Sequence, residues 1–381
     1  MINVLALYAD NSGCGDYRVR FPAAAVNRNP DLAVQVRTAD HLDADATFLG
    51  PRLNIRRIDV PHGVHVVSFQ RPMKPGLVGA MKWLKERRPD IGIVLELDDD
   101  LLNLPAGHEA FGSLDPRTNP TENTAWLRQA IPLADAITVS TDELAKRYGA
   151  GKPTFICRNG VPAEMLEQYP SRALSTGNKE RQRVIGWAGY TGTHPGDLEV
   201  TGGALTDVME RRPGGRTIHF HNVGPYDGLV RALGVPEELA SQVYATGWME
   251  PKFYRLSLSS LDIGIVPLQD TAFNRSKSAL KALEFAAAGV PVVASDLPEF
   301  QRLQKAGLPI WLVKPRRKEW AAALLRLCSL TDDELRQTAN QHRRWAAAYG
   351  TVDAQADEWA RAWRYAASVA LRRVNGARAA S

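Results

Sequence analysis

The chain has 381 residues, 44% of them hydrophobic and 23% charged, which is the balance of a globular protein with two domains of ordinary size. Its formal net charge of +5 is mild for this length. Such a charge permits an anionic partner such as a nucleotide, an anionic membrane surface or DNA, and it selects none of them.

The distribution of apolar residues and cysteines excludes several classes of protein. The longest nearly apolar stretch, Ala282–Ala294, contains Glu284, Gly289 and Pro291, so no transmembrane segment is predicted. The first residues have neither a basic start nor a cleavage site, so we expect no signal peptide. The three cysteines lie far apart without CxxC spacing, which predicts neither a disulfide framework nor a zinc site. This cysteine usage indicates a reducing, cytoplasmic location.

Short β-branched runs alternate with helical stretches through the first half of the chain, which predicts a parallel α/β domain over residues 1–165. Helices are predicted at Leu77–Glu86 and Thr121–Ile131. The predicted strands are Ile2–Tyr8, Leu32–Val36, Val64–Gln70, Ile91–Leu97, Ala136–Ser140 and Thr154–Cys157. The next stretch, residues 166–183, is polar and carries Pro, Ser, Thr, Gly and Asn, so we predict an interdomain linker there.

The same alternation restarts after the linker and predicts a second parallel α/β domain over residues 184–348. Its predicted strands are Val184–Trp187, Thr217–His221, Val243–Ala245, Asp262–Pro267, Pro291–Ala294 and Pro309–Val313. The tail, residues 349–381, contains a predicted helix, Asp353–Arg373, with Trp359 and Trp363 on the face expected to pack back onto the body. We therefore expect an α/β fold of two Rossmann-like, doubly wound domains facing a cleft, with ligands at the carboxyl ends of the strands.

The stretch Ser276–Ala288 carries the most specific chemistry of the sequence. As one helix it would place Lys277, Lys281 and Glu284 on a single stripe. Two ammonium groups at its start could hold a diphosphate, and Glu284, about 10 Å farther along the helix, could reach ribose hydroxyls. The alternative is an exposed row of ion pairs without a ligand. We favour binding because the flanking helix and strand are apolar enough to be buried.

The start of this helix is predicted to be capped by Asn274 or Ser276. Either cap would place the positive end of the helix dipole beside Lys277. A diphosphate at that point would also meet backbone N–H groups that have no partner within the helix.

A long run around this segment, from Asp262 to Ser295, reads DIGIVPLQDTAFNRSKSALKALEFAAAGVPVVAS. It resembles the signature of glycosyltransferase family four and its relatives, of bacterial and bacteriophage type. The resemblance extends to residues 134–141, 158–161 and 186–198, and to the Gly-rich loop Gly13–Arg18. Members of that family have the GT-B fold, use nucleotide sugars and usually retain the anomeric configuration.

The resemblance implies that the C-terminal domain holds the donor and the N-terminal domain holds the acceptor. It implies a ribose contact for Glu284, while Lys277 and Lys281 would stabilise the leaving diphosphate in place of a metal ion. Domain closure would bring the Gly-rich loop over the diphosphate. The other residues expected to contact the donor are Gly13, Gly15, Asp16, Arg18, Gly189, Tyr190, Thr191, Ser276 and Ser278.

Two departures from the family pattern leave the donor sugar unidentified. Many members have a second glutamate eight residues before the position of Glu284, where this chain has Ser276. The arginine–lysine pair that often binds phosphate after the first strand of the C-terminal domain is also not evident. Lys277, Lys281 and His194 are the candidates to replace it.

Three carboxylates, Asp98, Asp99 and Asp100, follow a predicted strand and therefore belong at its ligand-binding end. An Asp-x-Asp pattern binds a divalent cation in the other large glycosyltransferase fold, but that fold has one nucleotide-binding domain and this chain has two. Crowding is expected to raise at least one of their pKa values, and such a group could orient or deprotonate an acceptor hydroxyl. The alternative is that these acids cap the following helix.

His194 follows the second Gly-rich turn and is predicted to donate to a phosphate or a donor hydroxyl. The pairs His62 with His65 and His219 with His221 lack a third ligand nearby, so we interpret them as ordinary strand-edge residues. No GxSxG, Walker loop or full GxGxxG is present, which removes support for hydrolase, P-loop ATPase and standard dehydrogenase functions.

The function predicted from the sequence is therefore transfer of a hexose or pentose from a nucleotide sugar to an acceptor hydroxyl, with no metal or other cofactor. The acceptor class stays open between a glycan, a lipid-linked molecule, a protein and modified DNA. One alternative is a bacteriophage-type enzyme that glycosylates modified DNA bases or virion protein. Another is a nucleotide-sugar isomerase or sensor of the same two-domain architecture.

Overall fold

The computed structural model describes residues 1–42, 46–49, 52–55, 58, 60–168, 182–226 and 228–380. The chain divides into two compact units. The first unit comprises residues 1–160, 276–278 and 352–381, and the second comprises residues 161–275 and 279–351.

The described residues form fourteen strands, of which the twelve predicted from the sequence begin and end within a few residues of their predicted bounds. They are β1 Ile2–Tyr8, β2 Leu32–Thr38, β3 Ala46–Leu49, β4 Arg52–Ile55, β5 Val66–Gln70, β6 Gly92–Leu97, β7 Ala136–Val139, β8 Thr154–Ile156, β9 Gln182–Ala188, β10 Thr217–Val223, β11 Val243–Thr246, β12 Ile263–Val266, β13 Val292–Ser295 and β14 Trp311–Val313. All twelve predicted strands are confirmed. The antiparallel hairpin β3–β4 was not predicted.

Each unit is built on a six-stranded parallel sheet. The order in the first sheet is β2-β1-β5-β6-β7-β8, and the order in the second is β11-β10-β9-β12-β13-β14. Strand order reverses between β1 and β5 in the first sheet and between β9 and β12 in the second. In doubly wound sheets, ligands bind at the carboxyl ends of the strands beside such a reversal. The expected α/β class with two Rossmann-like sheets is confirmed.

Helices connect the strands, and some of them begin at a side-chain hydrogen-bond cap. The helices are α1 Gly13–Gly15, α2 Phe21–Val26, α3 Pro75–Arg87, α4 Ala110–Ser113, α5 Thr124–Ala130, α6 Asp142–Tyr148, α7 Ala163–Gln168, α8 Ala204–Arg211, α9 Leu229–Leu233, α10 Pro251–Leu258, α11 Ala272–Ser276, α12 Leu280–Ala287, α13 Pro298–Lys305, α14 Arg317–Ser329, α15 Asp332–Tyr349 and α16 Ala356–Ala380. A π-helical turn, Asp16–Arg20, joins α1 to α2. Helix α5 begins at Thr124 because the Asn123 side chain accepts a hydrogen bond from the N–H of Ala125.

The C-terminal helix α16 completes the core of the first unit, as its sequence pattern predicts. Trp359 and Trp363 are buried against Val4 and other apolar side chains of the first sheet. The helix approaches β6 so closely that a Cβ at Gly92 would lie 2.4 Å from the carbonyl oxygen of Ala366. Among the described residues, no helix is long and apolar enough to cross a membrane.

The predicted linker, residues 166–183, lies largely outside the described residues. Its first three residues end helix α7, and its last two begin strand β9. Residues 169–181 belong to the part of the chain that the structure does not describe.

Candidate functional site

A buried ion network occupies the carboxyl ends of the strands in the first sheet. The Nε of Arg18 donates to Oε1 of Glu96 at 2.6 Å, and its Nη1 donates to the carbonyl of Cys157 at 2.6 Å and to Oδ1 of Asn159 at 2.8 Å. The guanidinium also lies 4.8 Å from the ring centre of Trp359. The Arg18 side chain has no exposed surface. Three acceptors within the first unit engage this guanidinium, and the donor contact predicted for Arg18 stays a prediction.

Burial dominates the acidity of the two carboxyl groups nearest to Arg18. It raises the pKa of Glu96 to about 7, and the adjacent guanidinium opposes this shift only in part. Burial also raises the pKa of Asp98, which has Arg18 and Asp99 as its nearest charged neighbours. We predicted a raised pKa from crowding among the acids; the larger cause is desolvation. The guanidinium of Arg18 thus faces the carboxyls of both Glu96 and Asp98, which favours retention of a proton on this pair near neutral pH.

Asp99 and Asp100 differ sharply in their surroundings. Asp100 is fully buried, accepts hydrogen bonds from Tyr148 Oη at 2.8 Å and Asn103 Nδ2 at 2.9 Å, and pairs with Arg147 at 2.9 Å. The catalytic contact predicted for Asp100 stays a prediction. The alternative, a cap on the following helix, is not observed, because the Asp100 side chain makes no cap hydrogen bond to the 3₁₀ turn that follows it. Asp99 keeps 30% of its side chain exposed.

The predicted continuous helix Ser276–Ala288 is wrong, because α11 ends at Ser276 and α12 begins at Leu280. In a continuous helix the carbonyl of Ser276 would accept from the N–H of Leu280. It accepts instead from Oγ1 of Thr141 at 2.9 Å. This competing donor from the first unit breaks the helix, and the single stripe of charges does not form.

Residues Ser276–Ser278 belong to the first unit and contact its polar groups. Lys277 Nζ lies 3.6 Å from Oδ1 of Asp99, and Oγ of Ser278 accepts from Nδ2 of Asn159 at 2.8 Å. Ser276 itself is fully buried, and its predicted contact with a donor stays a prediction.

The predicted caps of this helix are also wrong. The Asn274 side chain donates to Oδ1 of Asp197 at 2.9 Å and to the carbonyl of Gln269 at 3.1 Å. The residue before α12 is Ala279, which makes no side-chain cap. The first N–H groups of α12 therefore have neither a helical partner nor a side-chain cap.

The Gly-rich loop after β1 is held by two side chains. Oδ1 of Asp10 accepts from the N–H of Ser12 at 2.8 Å and of Gly15 at 3.4 Å, while Nε2 of Gln70 donates to the carbonyl of Cys14 at 2.9 Å. A Cβ at Gly15 would lie 2.1 Å from the Asp10 carbonyl oxygen, so only glycine fits there.

The other predicted residues of this loop are more open. Gly13 is exposed and a Cβ there would meet nothing within 4 Å. Asp16 pairs with Arg20 at 2.6 Å. Arg71, which the sequence did not single out, pairs with Asp10 and has a φ of +44°, a strained conformation for a side-chain-bearing residue.

At the carboxyl end of the second sheet, Asp197 organises three loop segments. Its Oδ2 lies 3.0 Å from Nδ1 of His194, and its Oδ1 accepts from the N–H of Gln269 at 2.9 Å as well as from Asn274. The His194 ring also meets the ring of Trp187 edge-on, with centroids 5.6 Å apart. A carboxylate at Nδ1 favours the tautomer with its proton there.

Lys281 and Glu284 of helix α12 form a compact polar cluster with Tyr254 of helix α10, and we call it the Lys281 cluster. Nζ of Lys281 donates to Oη of Tyr254 at 2.7 Å and lies 3.2 Å from Oε2 of Glu284. Oη of Tyr254 donates to the same carboxylate oxygen at 2.9 Å. Glu284 is 3% exposed, whereas a third of the Lys281 side chain is open to solvent. Tyr254 lies 27 residues before Lys281, and no sequence signal identified it.

The turn after β9 brings two aromatic residues together. A Cβ at Gly189 would lie 2.5 Å from the ring of Trp187, so glycine is required there. The rings of Tyr190 and Trp248 have centroids 5.6 Å apart, and Trp248 is 79% exposed. Thr191 begins a short 3₁₀ turn. Trp248 was not predicted as a site residue, although it follows a strand and Gly247.

In the described part of the chain, no group of three or more His, Cys, Asp or Glu side chains is placed to hold a metal ion.

Comparisons with known proteins agree with this architecture. Residues 182–330 match the family described as glycosyl transferases group 1. A Bacillus subtilis (strain 168) protein, TuaH, provisionally named a teichuronic acid biosynthesis glycosyltransferase, is 31% identical over 184 residues. That alignment covers 46% of this chain and 44% of TuaH, so the chain matches less than half the length of this relative.

Two solved structures resemble nearly the whole chain. Sucrose-phosphate synthase from Thermosynechococcus elongatus matches with a TM-score of 0.60 and 15% identity, covering 96% of this chain and 98% of that one. The Anabaena protein Alr3699/HepE, in complex with UDP, matches with a TM-score of 0.60 and 14% identity, covering 94% and 98%. At this level of identity the likeness shows the fold, which is GT-B.

Proposed function

We propose that this chain, which carries a glycosyl transferases group 1 domain on a GT-B fold, transfers a sugar from a nucleoside-diphosphate sugar to an acceptor hydroxyl. The observation that carries the proposal is the Lys281 cluster. It lies within the matched residues 182–330, with Tyr254 on α10 and with Lys281 and Glu284 on α12, the second of the two helices between β12 and β13.

The start of α12 is the proposed diphosphate site. Its first N–H groups lack a side-chain cap, and the helix dipole favours an anion at that end. Lys281, in the first turn, adds a partly exposed ammonium group. Together these groups would stabilise the negative charge that develops on the leaving diphosphate, so we propose that the reaction needs no metal ion.

Glu284 and the two aromatic residues are the proposed nucleoside contacts. The carboxylate of Glu284 is held by Tyr254 and Lys281 and can accept from the ribose hydroxyls. Trp248 and Tyr190 present ring surface on which a nucleobase can stack. The UDP bound by HepE supports a uridine nucleotide as the first donor to test.

His194 is the proposed contact to the sugar or phosphate on the donor. The Asp197 carboxylate contacts Nδ1 and so fixes the orientation of the imidazole ring.

The first unit is the proposed acceptor domain. Asp98 and Asp99 follow β6 and keep part of their side chains exposed, at 14% and 30%. A carboxylate there can accept a hydrogen bond from an acceptor hydroxyl and align it for attack. We propose retention of anomeric configuration on the resemblance to family four alone.

The test combines a donor screen with one pair of variants. Thermal shifts with UDP-, GDP- and TDP-sugars identify the nucleotide, because a ligand that binds only the folded state raises Tm. Lys281→Ala is expected to lower the affinity for that nucleotide, whereas Lys318→Ala, which removes an exposed lysine of α14, is expected to leave it unchanged.

Three results would contradict parts of the proposal. Equal nucleotide affinity in Lys281→Ala and wild type would remove the assigned diphosphate site. Turnover lost with EDTA and restored by a divalent cation would refute metal independence. Incubation with donor alone that yields an epimerised nucleotide sugar, instead of slow hydrolysis to free sugar, would identify an isomerase.

A further inference from the structure

Asn159 is the residue of the first unit at which the buried ion network meets the segment Ser276–Ser278. Its Oδ1 accepts from Nη1 of Arg18 at 2.8 Å. Its Nδ2 donates to Oδ1 of Asp98 at 3.1 Å and to Oγ of Ser278 at 2.8 Å. The side chain is 95% buried and all of its polar groups except one lone pair are engaged.

The orientation of this amide is determined by the charge of its neighbours. A guanidinium can only donate, so the amide oxygen must face Arg18 and the NH₂ group must face the opposite side. That side contains the carboxylate of Asp98 and the hydroxyl of Ser278. A flip of the amide would turn its oxygen toward the Asp98 carboxylate and its NH₂ group toward the Arg18 guanidinium, so the hydrogen bonds to both of these residues would be lost.

We infer that Asn159 is a positioning residue for the transfer reaction, whose amide holds the Asp98 carboxyl and the Ser276–Ser278 segment in one arrangement. The inference rests on the proposed function, in which Asp98 aligns the acceptor hydroxyl. Asn159 itself touches neither substrate in this scheme.

The segment it holds carries Lys277 and leads directly into α12. Ser278 lies two residues before Leu280, and Lys277 Nζ lies 3.6 Å from Oδ1 of Asp99. Thr141 holds the other end of the segment through the Ser276 carbonyl. Loss of the Asn159 side chain therefore removes the hydrogen bond to Ser278, while the hydrogen bond from Thr141 to the Ser276 carbonyl remains.

The acidity of Asp98 depends on the same amide. The ionisable groups that act on this carboxyl are Arg18, Glu96, Asp99 and Cys14. Of these only Arg18 is a cation, at 3.9 Å, and it is already paired with Glu96. A hydrogen bond donated by Asn159 favours the charged form of Asp98, so its removal should raise the pKa of Asp98 further.

The test compares Asn159→Asp, Ser278→Ala and a matched control, Asn375→Asp. Asn159→Asp keeps the shape and the acceptor for Arg18 but replaces both donors by an oxygen. We expect kcat/KM to fall roughly 10- to 100-fold and the acid limb of the pH–rate profile to move up by about one unit. Ser278→Ala should lower kcat/KM roughly threefold to tenfold without moving the acid limb.

The control makes the same chemical change at an exposed asparagine of the same unit. Asn375 lies on α16 and its side chain is exposed. Asn375→Asp is expected to leave kcat, KM and the pH profile unchanged. Wild-type values in Asn159→Asp would overturn the inference. If that variant does not fold, Ser278→Ala with wild-type kcat and KM would overturn it.

A readout without turnover separates this inference from the proposed function. In protein labelled with [¹³C]carboxyl aspartate, with the signal assigned by Asp98→Asn, the Asp98 titration should move up in Asn159→Asp. Such a shift in a protein that turns over no nucleotide sugar would support the contact and refute the transferase function. An unchanged titration would overturn the role of Asn159 whatever the activity.

Discussion

Lys281 and Glu284 share one hydrogen-bonding centre, with Nζ of the lysine 3.2 Å from Oε2 of the glutamate. Both are bound by the phenol oxygen of Tyr254, which accepts from the ammonium and donates to the carboxylate. The sequence suggested two ends of a helix with separate tasks, phosphates at one and ribose at the other. In the structure, Lys281 and Glu284 instead form a single cluster, and the Tyr254 phenol holds both charged groups in place.

The first prediction concerns this phenol. Tyr254→Phe removes one donor from the buried carboxylate of Glu284 and one acceptor from Lys281. We expect the affinity for the nucleoside diphosphate to fall roughly threefold to tenfold, because each lost hydrogen bond costs about 1 kcal/mol. Calorimetric titration with UDP, or with the nucleotide found in the donor screen, measures the effect.

The matched control is Tyr349→Phe, which removes the phenol oxygen from a tyrosine that is 61% exposed at the end of α15. It should bind the nucleotide as wild type does. Equal affinities in wild type and Tyr254→Phe would show that the phenol does not order a nucleotide site.

The second prediction concerns Arg18 as a structural residue. Arg18→Met leaves Glu96 buried without its cation, and breaking a buried pair in this way typically costs about 3–5 kcal/mol. We expect the first unit to melt at a clearly lower temperature in Arg18→Met. The double variant with Glu96→Met should recover much of that loss, because both buried groups are then apolar. A single variant as stable as wild type would contradict the prediction.

The strands could be predicted from the sequence because most are short, largely apolar runs, and central strands such as β5, β6 and β7 are buried along their whole length. Trp359 and Trp363 gave the packing face of α16 for the same reason, since four positions bring two side chains to one side of a helix. These features depend on local pattern. The fold class followed from them.

The site depended on contacts between distant positions and was predicted only in part. The helix break after Ser276 is caused by Thr141, 135 residues away in the chain. The burial of Arg18 depends on Glu96, 78 residues away, and Asn159, 141 residues away. Neither Glu96 nor Asn159 can be recognised from a single sequence as a partner of Arg18. The position of Arg18 in a Gly-rich loop therefore indicates a ligand contact.

The third prediction concerns the contact between β6 and α16. A Cβ at Gly92 would lie 2.4 Å from the carbonyl oxygen and 2.5 Å from the carbonyl carbon of Ala366. Because the obstacle is backbone, Gly92→Ala must displace the helix, and overpacking of this kind costs about 1–3 kcal/mol. Thermal unfolding should show a lower Tm. Gly112→Ala is the control, since a Cβ there meets nothing within 4 Å. Equal Tm values for both variants would contradict the close packing.

The last prediction concerns His342, which is buried in the second unit as a neutral imidazole. Its Nε2 accepts from the N–H of Val292 at 3.3 Å, so the ring proton lies on Nδ1, 2.9 Å from the carbonyl of Thr338. The ring of Trp311 stacks on it, with centroids 6.0 Å apart and planes 9° apart. Burial lowers the pKa of His342 to about 4.

The sign of the pH effect follows from proton uptake. An unfolded histidine titrates near pH 6.5, so below that pH the unfolded state binds a proton that the folded state refuses until about pH 4. The contribution of His342 to stability is complete above about pH 6.5 and is lost as the pH falls toward 4. At pH 5 the loss relative to pH 7 is roughly 2 kcal/mol.

His342→Gln separates this contribution from those of other groups, because glutamine keeps a donor and an acceptor but does not titrate. We expect the free energy of unfolding of wild type to fall more steeply than that of His342→Gln between pH 7 and pH 5, by roughly 2 kcal/mol. Denaturant unfolding followed by tryptophan fluorescence at both pH values measures the difference. Parallel pH dependences would mean that the imidazole takes up its proton without unfolding, and that the neutral buried state assigned to it is wrong.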